Sequence, residues 1–146
     1  MTSSDMQNLY QELVLDHSRT PYGFGLRDEV AAQSHQLNPT CGDEVTLQVH
    51  ATDGTIEAIA WEGHGCAISQ ASASMLAVVA EGLTVSELAQ RIDTFRDAMR
   101  SRGKVTPDED LFGDAAALGG VSRYVARVKC AMLAWVAAED ALRKLD

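Results

Sequence analysis

No stretch of this sequence stays uncharged and apolar for long enough to span a bilayer, which argues against a membrane protein. The opening residues, MTSSDMQNLYQE, also lack the basic and apolar regions of a secretory leader, so the expected compartment is the cytoplasm. Cysteine is scarce. Three thiols cannot form a closed set of disulfides, and in a reducing compartment they read as free thiols, metal ligands or a redox centre. Basic residues are few as well: 12 Lys and Arg against 21 Asp and Glu leave a formal net charge of -9. Phosphate binding needs clustered positive charge, so nucleic acid is a poor candidate partner and protein or metal a better one. Repeats, low-complexity tracts and Pro/Gly/Ser-rich linkers are missing too. The 146 residues are therefore expected to form one domain, 1–146, large enough to bury a core without help from disulfides or metal. A metal in such a chain would serve function.

What is present reads as helix, strands, then helices. From Ser4, the set Met6, Leu9, Tyr10, Leu13 and Val14 follows helical spacing, and Ser4 with Gln7 has the form of a capping box. SRTPYGFG ends that helix, and a strand is expected at about residues 29–36. Val45, Leu47, Val49 and Ala51 alternate with Glu44, Thr46, Gln48 and His50; Asp53-Gly54 then supplies hairpin turn chemistry before TIEAIAWE. His50 is thus expected on the polar face. After GHGC comes a small-residue helix, AISQASASMLAVVAEG, with Gly82 placed to end it. Thr84 and Glu87 form a capping box for a third helix whose apolar face is Val85, Leu88, Ile92, Phe95 and Met99. Residues 101–120 are expected to be a loop with one short helix around GDAAAL, and the closing helix to run from about residue 122 to 144. On that helix Val121, Val125, Val128, Met132, Trp135 and Leu142 form one core-facing stripe, with Cys130 on roughly the opposite side beside Ala126, Ala134 and Ala137. Strands first and helices after, free to cover one sheet face, describe an α+β domain.

The chemistry-bearing residues are thinly spread. In NPTCGDEV, Pro39 and Gly42 would make a tight loop in any protein and Asp43 could simply close it; yet Cys41 and Asp43, two residues apart, are also good zinc ligands. Cys66 falls at the start of a helix, where the dipole and free N–H groups favour thiolate over thiol. Cys130 fits either a ligand or a buried small hydrophobe. The separations of 25 and 64 residues are unlike the C-x-x-C pairs of zinc ribbons. His64, two residues before Cys66, rivals the others as a ligand, although a solvated loop histidine is the preferred reading; His17, His35 and His50 are assigned no chemistry. Arg127 and Lys129 beside Cys130 read as solvated charges that would also lower the cost of a thiolate and attract an acidic partner surface.

Taken together, NPTCGDEV, WEGHGCAIS and ARVKCAMLAW, with LYQELVLDHSRTP near the start, GCAISQASASML and the ending LGGVSRYVARVKCAMLAW, resemble the SufU-like proteins of the broader IscU/NifU-type iron–sulfur assembly family. The resemblance runs through nearly the whole chain. It implies a small antiparallel sheet packed against helices, with the three cysteines at one exposed end. It also implies that Cys41, Asp43, Cys66 and Cys130 are the ligands of a single zinc ion. Lys129 stands where IscU-type scaffolds place a histidine and SufU-like members carry lysine, and residues 101–120 look like the SufU-type insertion. Val125 stands where a proline would be expected.

The implied activity is that of a zinc-dependent sulfur acceptor working with a pyridoxal-phosphate cysteine desulfurase. In that scheme a partner histidine replaces Cys41 on zinc, Cys41 takes the sulfur, Arg127 with Lys129 assists docking, and sulfur passes on towards a downstream iron–sulfur scaffold. Any sulfurtransferase activity then exists only together with the desulfurase, and the free protein is expected to be a monomer. One rival is a scaffold that carries iron or an iron–sulfur cluster transiently on the same ligands. A purely structural zinc domain fits less well, because such sites are usually closed shells of Cys and His.

Overall fold

The computed structural model describes residues 3–28, 32–39 and 42–145, with side chains from residue 11 onward. Its elements are α1 (Ser3–Arg19), β1 (Ala32–Asn38), β2 (Asp43–Thr52), β3 (Thr55–His64), α2 (Ala67–Ala80), α3 (Val85–Arg100), the short α4 (Glu109–Phe112), a 3-10 helix (Gly113–Arg123) and α5 (Val125–Arg143). The three strands form one antiparallel sheet in the order β1-β2-β3. This is the expected α+β domain, a small sheet packed against helices.

Local rules account for several boundaries. Asp53 and Gly54 both take positive φ, 53° and 79°, the twist that a two-residue hairpin between β2 and β3 requires. Thr84 Oγ1 accepts from the Glu87 N–H while the Glu87 carboxylate accepts from the Thr84 N–H, so α3 starts at the expected box. Leu88, Ile92, Phe95 and Met99 on its apolar face are buried, and Val85 packs against the core from its first turn. In α1, Leu13 and Val14 pack inward; the side chains of Met6, Leu9 and Tyr10, and the Ser4–Gln7 pair, lie outside the described side chains. The strand expected at about 29–36 is described from Ala32 and continues to Asn38; residues 29–31 lie outside the described residues.

Val45, Leu47 and Val49 point from β2 into the core. There they meet α5, which also packs on β1, while α2 packs on β3. The small side chains of α2 allow a close approach: the Ser72 hydroxyl donates to Ala131 O of α5 and accepts from the Trp135 indole N–H at 2.9 Å. Trp135 stacks on Phe95 of α3 with ring centres 4.0 Å apart, and Phe112 tilts against both rings. Arg96 of α3 forms a fork with Glu139 of α5 at 2.8 and 3.0 Å. These aromatic and ionic contacts make α5 the central post of the helical layer.

Three expectations need correction. Residues 109–123 are helical almost throughout, as α4 and the 3-10 helix, because Phe112, Ala115, Leu118 and Val121 find core positions that a loop would not fill. α5 starts at Val125, and that residue is 65% exposed rather than part of the buried stripe, because the first turn projects beyond the elements that cover the rest of the helix. His50 is buried, not on a solvated face. The main chain of Arg27 crosses this part of the sheet and bonds to the Gln48 side chain through both its N–H and C=O, and His50 Nε2 lies 2.9 Å from Gln48 Oε1 in turn.

Candidate metal centre

Antiparallel pairing brings distant residues to one end of the sheet. Because β2 and β3 form a hairpin, the start of one lies beside the end of the other: Glu44 pairs with His64. Asp43, the first residue of β2, and Cys66, just beyond β3, therefore meet across 23 residues of chain. α5 reaches the same end for a related reason. Its last turns are fastened to the start of β1 by Ser34 Oγ donating to Asp140 and by Lys144 Nζ donating to Gln33 O. The helix thus runs against β1 and along β2, and its beginning, with Cys130, lies where β2 begins.

Asp43, Cys66 and Cys130 each offer one ligand atom, and these atoms all lie within 4.8 Å of one another. A tetrahedral ion bound to thiolates at about 2.3 Å needs sulfurs about 3.8 Å apart. Two thiols and a carboxylate gathered to near that spacing can hold a divalent metal. Cys41, the expected fourth member, and Thr40 lie outside the described residues.

The pocket is shaped by what surrounds Asp43. Its carboxylate is buried at 1% exposure, with Oδ1 accepting the Cys66 N–H at 3.0 Å and Oδ2 lying 3.9 Å from Cys66 Sγ. Cys66 is the N-cap residue of α2, extended at φ -71° and ψ 166°, so its N–H belongs to the positive end of a 14-residue helix. Ser69 Oγ donates back to Cys66 O at 3.0 Å. Gly65, at φ 155°, makes room for the carboxylate: a Cβ there would stand 2.2 Å from Asp43 Oδ1. Gly65 and Ser69 were not singled out in the sequence; the glycine-flanked stretch before Cys66 was the available signal.

The remaining candidates lie around this cluster. His64 is largely exposed and pairs with Glu44 at 3.1 Å, as His35 does at 2.9 Å. Those two imidazoles hold the Glu44 carboxyl below its usual range, the hydrogen bond from His35 contributing most. His64 is therefore turned to solvent and an acidic neighbour, as expected, although it is the last residue of β3 and not part of a loop. Arg127 and Lys129 are exposed on the first turns of α5, close in sequence to Cys130, which is fully buried. His17, expected to do no chemistry, is held between Ser74 Oγ at 2.6 Å and Asp114 Oδ2 at 2.9 Å.

A family model described as the NifU-like N terminal domain matches residues 9–144. The iron-sulfur cluster assembly scaffold protein IscU of Streptococcus pyogenes serotype M1 is 38% identical, over 99% of this chain and 89% of its own length. The zinc-dependent sulfurtransferase SufU of Bacillus subtilis (strain 168) is 36% identical, over 97% of this chain and 95% of its own. In three dimensions the N-terminal part of a nitrogen-fixing NifU-like protein from Brucella abortus superposes with a TM-score of 0.79 at 28% identity, covering 95% of this chain and 96% of that one. With the sheet, the helices and nearly the full length all matched, the chain belongs to the NifU-like N-terminal domain family of iron–sulfur cluster assembly proteins, which includes the IscU and SufU proteins.

Proposed function

We propose that this protein is a zinc-dependent sulfur acceptor that takes persulfide sulfur from a pyridoxal-phosphate cysteine desulfurase for iron–sulfur cluster assembly. The observation that carries this reading is the convergence of Asp43, Cys66 and Cys130 within 4.8 Å, a donor set of soft thiolates and one harder carboxylate. Cys41 is proposed as the fourth ligand. Covalent geometry keeps its Cα within about 7 Å of that of Asp43, since the two are only two residues apart. A bound zinc would keep the thiolates deprotonated and shield them from oxidation.

In the transfer itself Cys41 acts as nucleophile. Its thiolate attacks the outer sulfur of the desulfurase persulfide; the new S–S bond forms as the enzyme's S–S bond breaks, and the electron pair leaves on the enzyme thiolate. Cys66, Cys130 and Asp43, anchored on helix and strand, stay in place. Arg127 and Lys129 offer positive charge for an acidic surface of the desulfurase. The acceptor works as a monomer, in the reducing cytoplasm, and passes its sulfur to a downstream iron–sulfur scaffold.

The second reading, a scaffold that builds a cluster on the same ligands, is favoured by the name of the Streptococcus relative. Desulfurase turnover and an absorption spectrum after attempted cluster reconstitution separate them. Relay predicts one zinc per chain, desulfurase turnover raised by substoichiometric protein, and the added sulfur located on Cys41 by mass spectrometry. It also predicts no stable chromophore when iron and sulfide are added to the zinc form, because thiolates hold zinc more tightly than ferrous iron. A stoichiometric, transferable cluster on the zinc-loaded protein with no stimulation of the desulfurase would establish the scaffold instead. Metal-free protein as purified, or unchanged metal content after each cysteine is replaced by serine, would remove the zinc-dependent reading.

A further inference from the structure

Asn38 closes β1, is only 6% exposed, and stands directly across from Asp43 in the strand pairing. Its main-chain carbonyl accepts from Gly42 N–H at 2.8 Å. Among the described residues its side-chain Nδ2 is buried without any hydrogen-bond partner. Buried amide donors are nearly always paired, because an unpaired N–H has given up water for nothing, so an orphan of this kind points to a group that is bound there at other times.

The position of the amide says which group. Asn38 and Ser34 are four residues apart, on the same buried face of β1. Ser34 bonds Asp140 on α5 at 2.7 Å, and the helix runs against the strand. Four strand residues cover about 13 Å. The same distance back along α5 from Asp140 is about nine residues, the turn that carries Cys130. Asn38 therefore stands in the layer between the end of β1 and Cys130, with Asp43 beside it on the same face. Asp43 Oδ1 already takes the Cys66 N–H. A thiolate in this layer has lost its water shell and needs N–H donors to replace it.

We propose that Asn38 is a positioning residue of the metal centre, its Nδ2–H donating to a thiolate sulfur when the site is loaded. This rests on the metal-site reading above, and adds to it a donor outside the ligand set. Such a bond lowers the energy of the sulfur lone pairs and fixes the direction of the thiolate.

The test loads wild-type protein and two variants with cobalt(II) as a spectroscopic substitute, and with zinc in competition with a chelator. Asn38→Leu keeps roughly the size of the side chain without the donor, and Asn38→Asp keeps its shape while offering only acceptors. In both, the thiolate-to-cobalt charge-transfer band is expected to move to lower energy, and zinc affinity to fall about tenfold. The metal-free Leu variant should melt no lower than wild type, since the unpaired amide is gone, yet gain less on metal loading. A band at the wild-type position in both variants overturns the proposal, whether or not affinity changes, because looser packing alone would not move the sulfur levels. Wild-type protein that takes up no metal would bring down the metal reading and this inference with it; normal uptake with unmoved bands would sink the inference alone.

Discussion

Gly65 shows how much of the site depends on one absent methyl group. Any side chain there would collide with Asp43 Oδ1 at 2.2 Å and with Ser69 Oγ at 2.7 Å. Both are parts of the pocket wall, and Asp43 cannot retreat because the strand pairing and the Cys66 N–H hold it. Gly65→Ala is therefore expected to weaken zinc binding by at least about tenfold, as loss of ligand orientation does, while leaving the far-ultraviolet circular dichroism of the fold unchanged. Chelator competition measures the first and a spectrum the second. Wild-type affinity in the alanine variant would show that the carboxylate is not held as a ligand.

Within single elements, α3 offers the clearest test, since its start depends on two reciprocal bonds between Thr84 and Glu87. Thr84→Ala is expected to cost about 1 kcal/mol in urea unfolding, the usual loss for a removed N-cap hydroxyl. The other half of the box brings a pH dependence. The Thr84 N–H, more than any other group, holds the Glu87 carboxyl below its ordinary value. A carboxyl whose folded pKa is depressed contributes stability above its unfolded pKa and loses it as pH falls through the folded value. The stability gap between wild type and Glu87→Gln should accordingly be widest near neutrality and close in acid. Unfolding curves from neutral pH into the acid range would show it; a constant gap would place the stabilisation elsewhere.

At the scale of the whole molecule, His17 ties three elements together. From the end of α1 it reaches Ser74 on α2 and Asp114 on the 3-10 helix, residues 57 and 97 positions away. The Tyr22 N–H also bonds Ser74 Oγ at 2.8 Å, so the segment after α1 is pinned to the same point. His17→Ala should lower unfolding stability by about 1 kcal/mol, the net worth of an ordinary hydrogen bond, and leave zinc affinity unchanged, because none of these groups touches the metal centre. Loss of metal binding in that variant would mean that the helical layer and the site are coupled. Zinc itself should act on the whole fold by mass action. Free metal at about a thousand times its dissociation constant adds about 4 kcal/mol to the folded state, so the melting temperature should rise with zinc concentration and drop on chelation.

Several features could be read directly from the order of residues because the forces behind them are local. The Asp53-Gly54 hairpin, the Thr84–Glu87 box, the Gly82 stop after α2 and the apolar face of α3 need only neighbours a few positions away, and all appear where expected. The contexts of Cys66 and Cys130 were legible in the same way, as a helix start and a helix face. Other features depend on what the rest of the chain places nearby. α5 is buried around most of its length because β1, β2, α2 and α3 surround it, so the single stripe expected for it holds for Trp135 but could not describe Cys130 on the other side, which is just as fully enclosed. His50 is covered because a distant segment at Arg27 crosses the sheet above Gln48. The 3-10 helix exists because three of its apolar side chains, Ala115, Leu118 and Val121, and Phe112 before it have core to fill. Above all, separations of 25 and 64 residues carry no sign of proximity. The antiparallel hairpin and the direction of α5 along β2 bring Asp43, Cys66 and Cys130 together, and the same geometry leaves the Asn38 amide, directly across from Asp43, without a partner among the described residues. Residue types set which chemistry was available; only the tertiary structure, by joining strand ends and a helix start at one edge, decided where it could happen.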